Sequence, residues 1–202
     1  MGLAAGAATT YGQGYITLDN YDTNGSQAPQ LVTYGANVPA NGVSGAVGSG
    51  GLSSAWTAGL YFVGGTSGLV EGAGNGIPSA TLALGTGAGS TVPFTLQNAF
   101  GTAGAFASIG SWNSGSIANT TLTLEIVVYP TAAGSYANAA FRGHSAAFSM
   151  STVTASSSTQ ALVNDAVGFG PFTVTAVPEP TTLALAGLGG LASLVALRRK
   201  QA

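Results

Sequence analysis

From Thr120 to Tyr129 the chain alternates: Leu122, Leu124, Ile126 and Val128 fall on one face, and Thr121, Thr123 and Glu125 on the other. A period of two over ten residues is the pattern of a β-strand whose apolar face turns toward a core, and Pro130 ends it. Shorter segments with strand-like composition lie at Gly14–Leu18, Gln30–Tyr34, Ala58–Val63, Ala80–Leu84, Val92–Leu96, Ala105–Ile109, Ala146–Val153 and Pro171–Ala176. Between them run loops rich in Gly, Ser, Asn and Pro, such as residues 37–51 and 64–76. Tyr, Phe, Val and Thr favour the pleated surface, and Gly, Asn, Pro and Ser supply the turns. The pattern predicts an all-β body, a sandwich of roughly nine short antiparallel strands, since nothing in the spacing argues for closure into a barrel. Tyr136–Phe141 reads as a short helical turn.

The period changes at the end of the chain. Thr181 to Leu197 holds no charged residue. As a helix it spans roughly 25 Å, slightly less than the hydrocarbon core of a bilayer. Arg198, Arg199 and Lys200 follow at once, where their side chains snorkel to the headgroups and stay on the cytoplasmic side. Pro180 suits the first turn of a helix, and Glu179 sits where the helix dipole favours a negative charge. Three regions are therefore expected. Residues 1–12 read as the remnant of a signal peptide. Residues 13–176 are an exported β-rich domain. Residues 177–202 are a tail made of a motif (177–181), a transmembrane helix (181–197) and a basic end (198–202).

The tail resembles the PEP-CTERM sorting signal of Gram-negative bacteria. The resemblance rests on Val177-Pro178-Glu179-Pro180-Thr181, the Leu/Ala/Gly-rich helix and Arg198-Arg199-Lys200 in that order, and covers only residues 177–202. It implies recognition by an exosortase, a membrane-embedded, transpeptidase-like cysteine protease that cuts near Pro178-Glu179-Pro180. The body would then be released or re-attached at the cell surface, in systems that accompany exopolysaccharide production. Val177, Pro178, Glu179 and Pro180 would be substrate residues, not catalytic ones. The implied partners are the exosortase, the membrane as a transient anchor, and exopolysaccharide. At the other end, Ala5-Gly6-Ala7 has the small-x-small pattern of a signal-peptidase site without a charged n-region before it, so the true start is expected upstream of Met1.

Composition narrows the chemistry. Only 5% of the 202 residues are charged, against about 25% in ordinary globular domains. Before the tail the only basic residue is Arg142, so there is no basic patch to neutralise phosphates, and nucleic acid is not an expected partner. No cysteine is present, which removes disulfides and thiolate chemistry. His144 is the only histidine. If its stretch is extended, Arg142 and His144 share a face with Ala146 and Phe148, forming either an anion-binding cluster or a local structural pairing with Glu125, Asp165 or another acid; the structural reading is preferred.

One histidine, no cysteine and few acids argue against a zinc site, and no metal or cofactor is expected. Asp19 to Gly25 alternates Asp and Asn like part of a calcium loop but lacks its closing Glu, and a turn capped by those side chains explains it as well. Trp56, Tyr61, Trp112 and Tyr129 would stack sugars if exposed; core positions are the expectation. The preferred function is an exported surface or extracellular-matrix protein with a structural or adhesive role, not an enzyme. The alternatives are a carbohydrate-binding module and, behind it, a hydrolase, which a cleft joining His144 to two carboxylates would favour.

Overall fold

The computed structural model describes residues 13–21, 28–35, 38–40, 43–44, 56–66, 68–84, 94–95, 104–106, 112–117, 119–154 and 163–177. Among them are twelve strands: β1 (Gln13–Ile16), β2 (Val32–Tyr34), β3 (Pro39–Ala40), β4 (Val43–Ser44), β5 (Trp56–Gly64), β6 (Ala83–Leu84), β7 (Phe94–Thr95), β8 (Trp112–Ile117), β9 (Thr121–Pro130), β10 (Phe141–His144), β11 (Phe148–Ser151) and β12 (Phe172–Ala176). The described body is all-β, with only two 3-10 turns, Thr131–Ala133 and Val163–Asp165.

The alternating segment becomes β9, the centre of an eight-stranded sheet of order β2-β12-β10-β9-β5-β6, with β11 also on β9 and β7 also on β5. β5 runs antiparallel to β9 along its whole length, from Trp56 opposite Pro130 to Gly64 opposite Leu122. The other edge of β9 takes β10 at Val127 and Val128 and β11 at Thr121 to Leu124. β10 and β11 are one strand interrupted at Ser145–Ala147. Ser145 bridges the break: its N–H donates to the Ile126 carbonyl, and its hydroxyl accepts from the Ile126 N–H.

Leu122, Leu124, Ile126 and Val128 turn into the main core with Trp56, Leu60, Phe148, Phe172 and Val174. β1 and β8 form a separate antiparallel pair, and Ile16 and Trp112 from it enter that same cluster. The opposite face of β9 is also closed: Val127 and Tyr129 pack with Tyr136 and Ala139 in a second, smaller cluster. Thr123 and Glu125 are buried on that face as well.

Several expectations are corrected. β12 pairs with β2 in parallel, Phe172 opposite Val32, so the strands are not all antiparallel. These two strands are remote in sequence, and no hairpin sets their direction. The helical turn expected at Tyr136–Phe141 is present only at its start: Tyr136–Asn138 form a turn in which the Ala139 N–H donates to the Tyr136 carbonyl at 3.3 Å, a 3-10 turn precedes it at Thr131–Ala133, closed by Gly134 at φ +71°, and Phe141 opens β10. Ala105 and Phe106 are buried but in no strand, and the rest of that expected segment lies outside the described residues. Residues 1–12 and 178–202, with the expected signal-peptide remnant, Pro178, Glu179, Pro180, the helix at 181–197 and Arg198, Arg199 and Lys200, also lie outside them. No helix among the described residues is long and apolar enough to cross a membrane.

Candidate functional site

The second face of β9 carries the chemistry. Registry places Tyr61 of β5 opposite Glu125, and His144 of β10 opposite Val127. The segment 68–82 after β5 is laid over the end of β10. Gly74 and His144 exchange backbone hydrogen bonds of 3.1 and 2.7 Å, and the Ala147 N–H donates to the Glu71 carbonyl at 2.9 Å. This brings the half-buried Glu71 against the buried pair Glu125 and His144. One carboxylate oxygen from each glutamate and one ring nitrogen of His144 all lie within 4.8 Å of one another.

Each group is oriented differently. His144 donates from Nδ1 to the Ser145 carbonyl at 2.9 Å, which leaves the Nε2 lone pair available. Nε2 faces Gly74: a Cβ there would sit 3.2 Å from it, so the missing side chain leaves the room. Glu71 accepts at Oε2 from the Ser79 N–H, 3.3 Å. Glu125 is fully buried, its Oε2 stands 3.7 Å from His144 Nδ1, and neither of its oxygens has a hydrogen-bond partner. Burial foremost, then the charge of Glu71, pushes the Glu125 carboxyl from 4.5 up to about 8.

Tyr136, from the turn after β9, packs on the same face against Val127 and Tyr129. Its buried hydroxyl also lacks a hydrogen-bond partner. Burial raises its pKa; Arg142 opposes that rise, and the charges of Glu125, Tyr61 and Glu71 add to it. Arg142 lies over the Tyr136 ring at 5.1 Å and donates to the carbonyls of Asn75, Tyr136 and Ala137. The guanidinium thus holds two loops together through neutral acceptors. Beside the cluster, Gly59, Tyr61, Val127, Tyr129 and Tyr136 line a half-open pocket of about 150 Å³. Its walls do not include Glu71, Glu125 or His144.

Arg142 and His144 therefore lie on one buried face, with Glu125 the acid beside His144, while Asp165 is exposed on a 3-10 turn. Glu71 was not singled out from sequence; it sits in a Gly-rich loop without periodicity, and only the fold brings it to His144. Of the aromatic set, Trp56, Trp112 and Tyr129 are buried and only Tyr61 is partly exposed. Asn20 is a structural clamp: its Nδ2 donates to the Gln30 and Gly104 carbonyls, and its Oδ1 accepts from the Phe106 N–H at 2.7 Å. Residues 22–25 of the Asp/Asn segment lie outside the described residues. Val177 is the last described residue, its N–H donating to the Ala140 carbonyl at 2.8 Å.

No curated protein and no solved structure matches the chain. A family model described as the PEP-CTERM protein-sorting motif matches residues 176–200. The chain carries a PEP-CTERM sorting motif that begins at the last residue of β12, the signal of an exported protein sorted by an exosortase.

Proposed function

We propose that this chain is a surface or extracellular-matrix protein with a structural or adhesive role, not an enzyme, delivered through its PEP-CTERM motif. The helix at 181–197 serves as a transient membrane anchor until the exosortase acts, and the eight-stranded and two-stranded sheets are the layers of a β-sandwich. The observation that carries the reading is the junction. The motif starts at Ala176, inside the final strand, so sorting delivers the folded body itself to the envelope. The body supports a non-catalytic role, because Glu125 and His144 are buried and the neighbouring pocket is lined by other residues.

The test is a producing strain with the gene deleted, beside one lacking the exosortase. Loss of matrix cohesion or surface attachment at unchanged exopolysaccharide yield is the expected result of the deletion. The exosortase-deficient strain should hold the longer, unprocessed chain in its membrane fraction. A deletion strain with unaltered attachment and cohesion overturns the structural role.

The tyrosine-lined pocket supports a second reading, a carbohydrate-binding module that holds exopolysaccharide. Its volume of about 150 Å³ is of the order of a single sugar ring, and Tyr61 presents a partly exposed face. Binding of purified exopolysaccharide by the wild-type chain, lost in Tyr61→Ala, is the outcome that reading requires.

A further inference from the structure

We propose that Glu71, Glu125 and His144 form a binding site for one divalent transition cation of the zinc class, which fastens the 68–82 segment to the sheet. The inference is independent of the sorting motif and of any enzymatic role.

Two kinds of observation meet here. The first is the donor set: two carboxylates and an imidazole with ligand atoms within 4.8 Å of one another. Bonds of about 2.0–2.2 Å from one tetrahedral ion place its donors about 3.3–3.6 Å apart, so the side chains must close by roughly 1.2–1.5 Å on binding. Mixed nitrogen and oxygen donors suit a borderline cation better than calcium, which takes six to eight oxygens. The second is the set of polar atoms left over. Both oxygens of Glu125 and the hydroxyl of Tyr136 are buried without a hydrogen-bond partner, and Glu125 Oε2 is aimed at the histidine. A carboxyl buried here without a cation must keep a proton to avoid an unpaired charge, and a bound cation takes the place of that proton.

The histidine is prepared in the way metal-binding histidines are. Its Nδ1–H is held by the Ser145 carbonyl, which fixes the tautomer and the ring plane; Nε2 takes the cation once the Glu125 carboxylate, 3.7 Å from Nδ1, swings across the ring edge. The absence of a side chain at Gly74 keeps the approach to Nε2 open. The alternative for the two carboxyls is to share a proton with no cation present, and the two arrangements respond oppositely to one substitution.

The experiment uses the full-length chain in mild detergent, without a histidine tag, stripped with chelator and titrated with ZnCl2. Bound zinc is counted by elemental analysis and the melting temperature is followed by circular dichroism. The wild type should bind one zinc per chain. Its melting temperature should rise by about 5–10 °C at a zinc concentration near a hundred times the dissociation constant. Glu125→Gln keeps shape while removing the charge. In chelator it should melt no lower than the wild type, and it should lose both the bound zinc and the rise. Glu71→Gln, at a half-buried position, should weaken binding at least tenfold.

Absence of stoichiometric zinc and of any stabilisation in the wild type overturns the proposal and leaves the proton-sharing pair. Zinc binding unchanged in Glu125→Gln places the ion elsewhere and also overturns it. A rise with CaCl2 but none with ZnCl2 does the same, because the imidazole would then be no ligand.

Discussion

Leu124→Ala tests whether β9 is the spine of the body. Leu124 is fully buried, opposite Phe148 on β11 and Phe62 on β5. Removing the equivalent of three methylene groups, at about 0.8 kcal/mol each, forfeits roughly 2.4 kcal/mol of transfer free energy. The paired strands and the two phenyl rings limit collapse into the gap, so a cavity cost of about 1–2 kcal/mol adds to it. The sum is about 3.5–4.5 kcal/mol. For a body of this size, each kcal/mol lowers the melting temperature by about 2–4 °C, so a fall of about 7–18 °C is expected. The assay is thermal unfolding of the full-length chain followed in the far ultraviolet, with Val70→Ala, at a side chain 97% exposed, as the control that should not move. A Leu124→Ala chain melting within about 3 °C of wild type would refute burial of this face, whatever the secondary structure content. Leu124→Asp places an unpaired charge at the same point and should abolish the cooperative transition.

Asn20→Ala should cost about 2–4 kcal/mol in chemical denaturation, because it strips partners from two carbonyls and one N–H in a buried setting. Gly143→Ala should destabilise by about 1–3 kcal/mol, since a Cβ there meets the Thr173 carbonyl oxygen at 2.7 Å and β10 and β12 must separate; a neutral result in the same melt would place the strands further apart. In chelator, stability should fall as pH rises from 4.5 to 8: Glu125 binds its proton more tightly folded than unfolded, so its contribution is complete below 4.5 and lost on passing about 8. Melting temperatures measured across that range check the sign, and Glu125→Gln should flatten the slope.

Much of this fold was legible because period-two alternation depends only on local sequence. Thr120–Tyr129 announced β9 to within a residue at each end, and Ala58–Val63 and Pro171–Ala176 lie within or almost coincide with β5 and β12. β8 was not legible: Trp112-Asn113-Ser114-Gly115-Ser116-Ile117 has the composition of a loop and is a strand through its pairing with β1. β10 was concealed too, because Phe141-Arg142-Gly143-His144 shows no alternation of apolar and polar residues. Its glycine is there for close approach to β12, a contact made across the sheet. The site follows the same division. Arg142 and His144 are two apart and share a face by geometry alone. Glu71 reaches His144 only because Gly74 pairs with it across a segment that carries no periodic signal.

The location of the cluster ties the two halves of the chain together. In a protein with 5% charged residues, the half-buried Glu71 meets the buried Glu125 and the sole histidine. Apolar replacements are often as stable as buried ionic groups, so packing alone gives no reason to keep them. The segment that carries Glu71 also carries Asn75, which donates to the Thr175 hydroxyl at 2.8 Å and the Ala176 carbonyl at 2.9 Å. Asn75 in turn accepts from Arg142. The strand gripped in this way is the one from which the sorting motif departs. A cation that fastens Glu71 to the sheet therefore also fastens the final strand at the point where membrane insertion and cleavage would pull on it.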